Sequence, residues 1–287
     1  MSDDTNGQPA GAVTDGDLSI DPAWTTEILT RFIAAEVGRT GKAKVVLGLS
    51  GGIDSAVAAE LAARALGPAN VKCVLMPYRT SSPNSVGDAE ELVRKLGTPS
   101  ETVDISSMVD AFSQASGEVG PLRLGNVMAR ARMIVLFDRS ADLDALVLGT
   151  SNKTELLLGY GTLHGDLASA INPIGDLYKT QLRALARHLD VPRSIQDKPP
   201  SADLWPDQSD EEELGFSYDE VDRLLALLVD ARVGRDEVIR RGFSAEMVER
   251  VTHQIVRSQF KRMPPVIAKV SSRSIGWDFR YPRDWLS

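Results

Sequence analysis

Short apolar runs alternate with amphipathic stretches along most of this chain, a pattern that predicts an α/β fold with a parallel sheet. Lys44–Leu49 and Val71–Met76 read as buried strands. Between them an alanine- and leucine-rich helix runs to about Leu66, so the three form a βαβ unit with a parallel strand pair. Glu101–Ile105 is a third, shorter strand, Ala145–Gly149 a fourth, and Ile171–Ile174 resembles a last one. Asp21-Pro22 reads as an N-cap followed by proline at the first helical position. Trp24, Ile28, Leu29, Phe32, Ile33 and Val37 share one face of the helix that follows, which is expected to pack at the edge of the core until Gly38–Gly41 breaks it. Further helices are predicted over Val86–Leu96, from Pro121 to about Arg139 and over Tyr178–Asp190. Two more follow, one from the capping box Ser217-Tyr218-Asp219-Glu220 through Leu228 and one over Ser244–Phe260. No internal repeat and no clear linker interrupts the pattern, so residues 21–287 are expected to form one domain with C-terminal helical additions.

Two segments resist this pattern. Lys198–Pro206 carries Pro199, Pro200 and Pro206, which remove amide donors and fix φ, so it is neither helix interior nor central strand. Together with the acidic run Asp210–Glu213 it is expected to be a mobile surface loop, either a lid or a plain linker. The tail holds Trp277, Phe279, Tyr281 and Trp285, and so aromatic a segment is expected to dock.

The stretch with the most chemistry follows the first strand. Gly48, Leu49, Ser50, Gly51, Gly52, Ile53, Asp54 and Ser55 form a glycine-rich turn that opens directly into a helix, where free amides and the helix dipole converge on an anion. A Walker loop is excluded, because Gly52 is followed by Ile53 and Asp54 rather than by Lys and Ser or Thr. Ser50, Gly51, Gly52, Asp54 and Ser55 instead resemble the SGGxDS signature of the PP-loop ATP pyrophosphatases. Gly51 and Gly52 let the backbone close on an oxyanion, and Ser50 and Ser55 add hydroxyl donors. A carboxylate beside a phosphate needs a cation between them, so Asp54 points to Mg²⁺. The second strand ends on the same sheet edge, where ligands of open parallel sheets bind. Tyr78 and Arg79 follow it, and the residues alone leave Arg79 open between a nucleotide contact and a surface arginine. Arg130 and Arg132 are two apart on their helix, so only one of them can easily face an inner site.

Composition narrows the class. A formal net charge of −8 disfavours non-specific nucleic-acid binding, and no run approaches the ~18 apolar residues of a membrane span. The single Cys73, inside an apolar run, leaves no disulfide framework and no cysteine-based metal or sulfur chemistry, which suits a reducing cytoplasm. Residues Met1 to about Ile20 lack a basic flank and an apolar core, and read as a disordered leader rather than a signal peptide.

Five stretches in order and spacing, namely Ser50–Ser55, Gly149–Glu155, Asn172–Gln181, Pro200–Leu204 and Phe260–Arg262, are similar to the NAD synthetase family from about Trp24 onward. The resemblance implies a five-stranded parallel sheet, a homodimer, and ATP- and Mg²⁺-dependent amidation of deamido-NAD by ammonia. It assigns Gly48–Ser55 to the ATP phosphates, Asp54 and Glu155 to Mg²⁺, and Asp166 to a second Mg²⁺. Thr150, Lys179 and Ser201 would contact ATP, while Arg130, Phe260 and Lys261 would face the dinucleotide. Three positions depart from the family's pattern: Leu163 stands where many members have Lys, Ala170 where they have Asp, and Phe260 where His is common.

The expected chemistry is attack of the nicotinate carboxylate on the α-phosphorus of ATP, release of pyrophosphate, and displacement of AMP by ammonia. Lys179 and the loop amides would stabilise the pyrophosphate charge, and Asp166 or His164 would accept a proton. The length leaves no room for a glutaminase domain and Cys73 is misplaced for one, so ammonia is expected free or from a separate partner. Two alternatives stay open: another PP-loop enzyme that adenylates a different acceptor, and a module that binds ATP without turnover. The three spaced carboxylates Asp54, Glu155 and Asp166 speak against the second, since binding alone tolerates their loss.

Overall fold

In the computed structural model, residues 17–201 and 210–274 are described. Most of the expected leader, the centre of the expected lid and the aromatic tail with Trp277, Phe279, Tyr281 and Trp285 lie outside the described residues. The last residues of the supposed leader are not loose: Leu18 and Ile20 pack against apolar clusters.

The chain runs α1 (Pro22–Arg39), β1 (Lys44–Gly48), α2 (Ile53–Leu66), β2 (Val71–Leu75), α3 (Pro83–Leu96), β3 (Ser100–Thr102), α4 (Ser106–Ser116), α5 (Pro121–Asp142), β4 (Ala145–Val147) and α6 (Lys153–Leu158). It continues with α7 (Lys179–His188), α8 (Arg193–Gln196), α9 (Asp210–Leu214), α10 (Tyr218–Leu225), α11 (Arg235–Arg240) and α12 (Ala245–Arg257). The strands are parallel in the order β3-β2-β1-β4, with Val45 opposite Val71 and Val46 opposite Val147.

Because side chains alternate along a strand, the sheet feeds a core on each face. Val45, Leu47, Val71, Cys73 and Leu75 pack with α1, α2 and α7, whereas Val46, Val74 and Val147 pack with α4 and α5. Helix α2 is enclosed by the sheet and by helices α1, α3, α7 and α8, so Ser55 through Ala63 are all buried, and its alanines permit the close approach. A separate apolar cluster ties Leu158 and Tyr178 to α10, α11 and α12 through Val221, Leu224, Leu225, Val238 and Val251. Among the described residues no helix is long and apolar enough to cross a membrane.

Several expectations are corrected. The described sheet has four strands, not five; at the fifth position Ile171 makes only a single parallel bridge to Leu148, because Pro173 has no amide to extend a ladder. Helix α3 starts at Pro83, which sits at its first position where no amide partner is needed. Helix α4 was not predicted, having only Val109 buried along its length. On α1 the apolar face splits: Ile33 and Val37 are buried, while Trp24, Ile28 and Phe32 remain 58%, 47% and 36% exposed. Asp210–Glu213 is not a loop but the start of α9, with Asp210 buried.

Candidate active site

The glycine turn lies at the C-terminal edge of the sheet, where β1 hands over to α2 with Gly52 as N-cap. Gly51 adopts φ 76°, a left-handed conformation that favours glycine. The hydroxyls of the turn brace it. Ser55 Oγ accepts from the Ser50 amide at 3.2 Å and donates to the Gly52 carbonyl at 3.0 Å, and the Gly52 amide donates to Ser50 Oγ at 3.2 Å. The two serines expected as phosphate donors therefore also hold the loop's shape.

Two further helix N-termini meet this turn. Helix α6 starts with a capping box: Asn152 Oδ1 accepts from the Glu155 amide at 2.9 Å, and Glu155 returns its carboxylate to the Asn152 amide at 3.3 Å. The remaining Asn152 amide group donates to Asp54 Oδ1 at 2.7 Å. Lys179, first residue of α7 and 2% exposed, then bridges the carboxylates, paired directly with Asp54 and 3.3 Å from Glu155 Oε1. Burial and the Asp54 charge push the Glu155 carboxyl up, opposed by Lys179. Burial alone would lower the Lys179 ammonium, but the charges of Asp54 and Glu155 outweigh it and hold it above its ordinary value. A single buried cation between two carboxylates leaves the group short of positive charge.

These parts line a cavity of about 570 Å³, within the range of small-molecule sites. Of the residues expected at the site, Gly48, Leu49, Ser50, Gly52, Asp54 and Ser55 line it, as do Thr150, Glu155, Asp166, Lys179, Ser201 and Lys261. Asp166 Oδ1 accepts from the Thr162 amide at 2.8 Å; enclosure raises its carboxyl and that bond opposes the rise. Lys261 donates to the carbonyls of Gly159 and Gly161, both at 2.7 Å, and burial lowers its ammonium against the pull of Asp166.

Other expected residues lie elsewhere. Gly51 is tucked beneath Ser85, and Ile53 packs towards the core. Arg79 turns to Asp110 and stacks 5.5 Å from the Tyr78 ring centre instead of lining the cavity. Arg130 is exposed and donates to the Leu163 carbonyl at 3.2 Å. Its neighbour Arg132 is the one that faces inward, anchored to the Met76 carbonyl at 3.1 Å. Phe260 is 59% exposed and outside the cavity.

Tyr160, Asp210 and Glu213 are among the lining residues that were not expected at the site. Tyr160 donates its hydroxyl towards Asp210 at 2.9 Å and Glu213 at 2.8 Å, so both acids reach the cavity from α9. In the sequence they belong to a run of four acidic residues, which reads as a solvated face; no local signal marks the two that turn inward. Among the described residues no group of three or more His, Cys, Asp or Glu side chains is arranged to hold a metal by itself. Asp54 and Glu155 still suit Mg²⁺, which is commonly held by one or two carboxylates together with substrate phosphates.

The NAD synthase family model matches residues 25–265. The NH(3)-dependent NAD(+) synthetase of Chlorobium phaeobacteroides (strain BS1) is 58% identical over 268 residues, 93% of this chain and 97% of that protein. Among solved structures, the NH3-dependent NAD synthetase of Campylobacter jejuni superposes with a TM-score of 0.75 at 39% identity, covering 87% of this chain and 100% of that one. The NMN synthetase of Francisella tularensis superposes with a TM-score of 0.78 at 32% identity, covering 87% and 99%. With the family model matching residues 25–265 and a relative 58% identical over 93% of its length, this chain belongs to the NAD synthase family.

Proposed function

We propose that this protein makes NAD by amidating deamido-NAD with ammonia, using ATP as co-substrate and releasing AMP and pyrophosphate. The observation that carries the reading is Lys179, buried between Asp54 and Glu155 and opening onto the same cavity as the glycine turn. A carboxylate does not react with ammonia unless it is given a leaving group, and ATP supplies one as an acyl adenylate. The amides of the glycine turn and the Lys179 ammonium stabilise the charge that gathers on the departing pyrophosphate. Mg²⁺, held by Asp54 and Glu155, would supply further charge neutralisation at the phosphates. Asp166, at the cavity wall with its carboxyl raised by enclosure, would take the proton that ammonium must give up before ammonia attacks the acyl adenylate.

Pyrophosphate release from ATP, Mg²⁺, ammonium and deamido-NAD tests the reading. No release with this acceptor overturns it, and release without any acceptor marks a plain hydrolase. A second acceptor belongs in the same assay. Leu163 and Ala170 replace polar residues that many members carry, and a structural neighbour is an NMN synthetase. Nicotinate mononucleotide, which lacks the adenylate half of the dinucleotide, is the acceptor to compare.

The working form is a homodimer. Helices α4 and α5 pack together and leave Met108, Phe112, Ile134 and Phe137 exposed by 37%, 44%, 54% and 42%, a shared apolar face that a second copy would cover.

A further inference from the structure

Glu155 and Lys179 lie on different helices, and what sets their spacing is found behind them, outside the cavity. Asp222, on α10 and fully buried, spans α6 and α7. Its Oδ1 accepts from the Thr154 hydroxyl at 2.6 Å, while its Oδ2 accepts from the amide and the hydroxyl of Thr180 at 2.8 and 2.9 Å. Thr154 immediately precedes Glu155, and Thr180 immediately follows Lys179. The Lys179 amide closes the circuit by donating to Thr154 Oγ1 at 3.1 Å.

The rest of this segment grips the same two stretches. Tyr218, one turn before Asp222, places its ring centre 5.2 Å from the Lys179 ammonium. Asp230, in the turn after α10, accepts from Lys153 Nζ at 2.8 Å and from the Tyr178 hydroxyl at 2.9 Å. Residues 153–155 and 178–180 are therefore bracketed by three side chains, none of which lines the cavity.

We infer that Asp222 is a positioning residue for the adenylation step, its carboxylate fixing Glu155 and Lys179 relative to each other so that both meet the departing pyrophosphate. This rests on the function proposed above. A buried carboxylate is expensive to desolvate, and an apolar residue would fill the space as stably. What an apolar residue lacks is three acceptor contacts divided between two helices. Asparagine lacks one as well: with its oxygen kept on Thr180, its NH₂ would face Thr154. That hydroxyl would then receive two N–H groups and have no acceptor for its own proton.

The test compares Asp222→Asn, Thr154→Val and Thr154→Ser with the wild type in pyrophosphate release at saturating ATP, and in ATP binding by calorimetry. Asp222→Asn and Thr154→Val should each lower kcat by about 10- to 100-fold, the scale of a small misplacement, while ATP affinity stays within about twofold. The double variant should be no worse than the less active single one, since Thr154→Val already removes the link to Asp222 together with the acceptor of the Lys179 amide. Thr154→Ser, which keeps the hydroxyl, should recover most of the turnover. Thr154→Val preserves side-chain shape, so it decides the matter even if Asp222→Asn fails to fold. Folded variants with wild-type kcat, or a loss seen only in ATP affinity, overturn the assignment. A wild type that releases no pyrophosphate overturns instead the functional reading, and the assignment with it.

Discussion

Gly51 and Ser85 leave no room for a side chain between them: a Cβ on Gly51 would stand 2.1 Å from the Ser85 carbonyl oxygen. The glycine turn is thus shaped by helix α3 as well as by its own sequence. Gly51→Ala combines this clash with backbone with a left-handed φ that costs a non-glycine residue about 1–2 kcal/mol. Loss of ATP binding by calorimetry and a lowered melting temperature are expected. Gly52→Ala is the control for stability, since its nearest neighbour is the Ser50 hydroxyl at 3.2 Å rather than backbone; an equal fall in melting temperature from both changes would refute the role given to Ser85.

Removing the buried cation should be costly twice. Lys179→Met leaves Asp54 and Glu155 facing each other without compensation, and breaking such a buried pairing costs about 3–5 kcal/mol. It also removes a donor to the departing pyrophosphate, for which a fall in kcat of about 10²–10³-fold is expected. Chemical denaturation and single-turnover pyrophosphate release measure the two effects separately. A variant with near-normal turnover would show that Lys179 is structural only.

Arg262 holds the end of α6 from the C-terminal side. It donates to the carbonyls of Leu156 and Leu157 at 2.8 and 3.0 Å and to that of Ile255 at 2.6 Å. Arg262→Ala should cost about 1–3 kcal/mol, chiefly for the Leu156 carbonyl, since the Ser258 hydroxyl can still donate to Leu157 or Ile255, and Arg262→Lys should restore little because a single ammonium cannot reproduce the fork. Urea unfolding curves for the two variants decide it; full recovery with lysine would argue for charge rather than geometry.

Asp222 gives a pH signature with a definite sign. Burial raises its carboxyl above the ordinary 3.8, and the hydrogen bonds from Thr154 and Thr180 oppose the rise. A carboxyl that titrates higher when folded stabilises the fold fully below its unfolded value, and that contribution is lost as pH rises through the folded value. The stability of the wild type relative to Asp222→Asn should therefore decline as pH increases from about 4 towards neutrality. A difference that stays flat or grows with pH would contradict the shift.

The apolar face on α4 and α5 can be tested by charge. Phe137→Glu should convert the protein to a monomer in sedimentation-velocity runs, because a carboxylate at the centre of such a face cannot be desolvated cheaply. Persistence of a dimer in that variant would place the contact elsewhere, and the exposed Trp24–Phe32 stripe of α1 would be the next face to change.

Periodicity and local motif chemistry made much of this molecule legible. The strands β1 and β2, the parallel crossover through α2, the glycine turn, the buried face of α7 and the N-cap at Ser217 all follow from residues near one another in the chain. Asp54 stood out as a carboxylate beside the glycine turn, while the choice of Glu155 and Lys179 came from family resemblance; their convergence on one point depends on three helix N-termini that the sheet brings to a single edge. Arg132 and Arg130 show the limit. Spacing says that they diverge, but only the packing of α5 on the sheet decides that Arg132 turns inward to the Met76 carbonyl. The same holds for Asp210, Glu213 and Asp222. In sequence these are acids among other acids on polar helix stretches. Asp210 and Asp222 become buried acceptors, and Glu213 a cavity-edge one, only because Tyr160, Tyr218, Thr154 or Thr180 arrives with a donor. Local sequence determines which backbone a segment prefers. Which polar groups lose water, and which partners compensate them, is decided when the segments pack together.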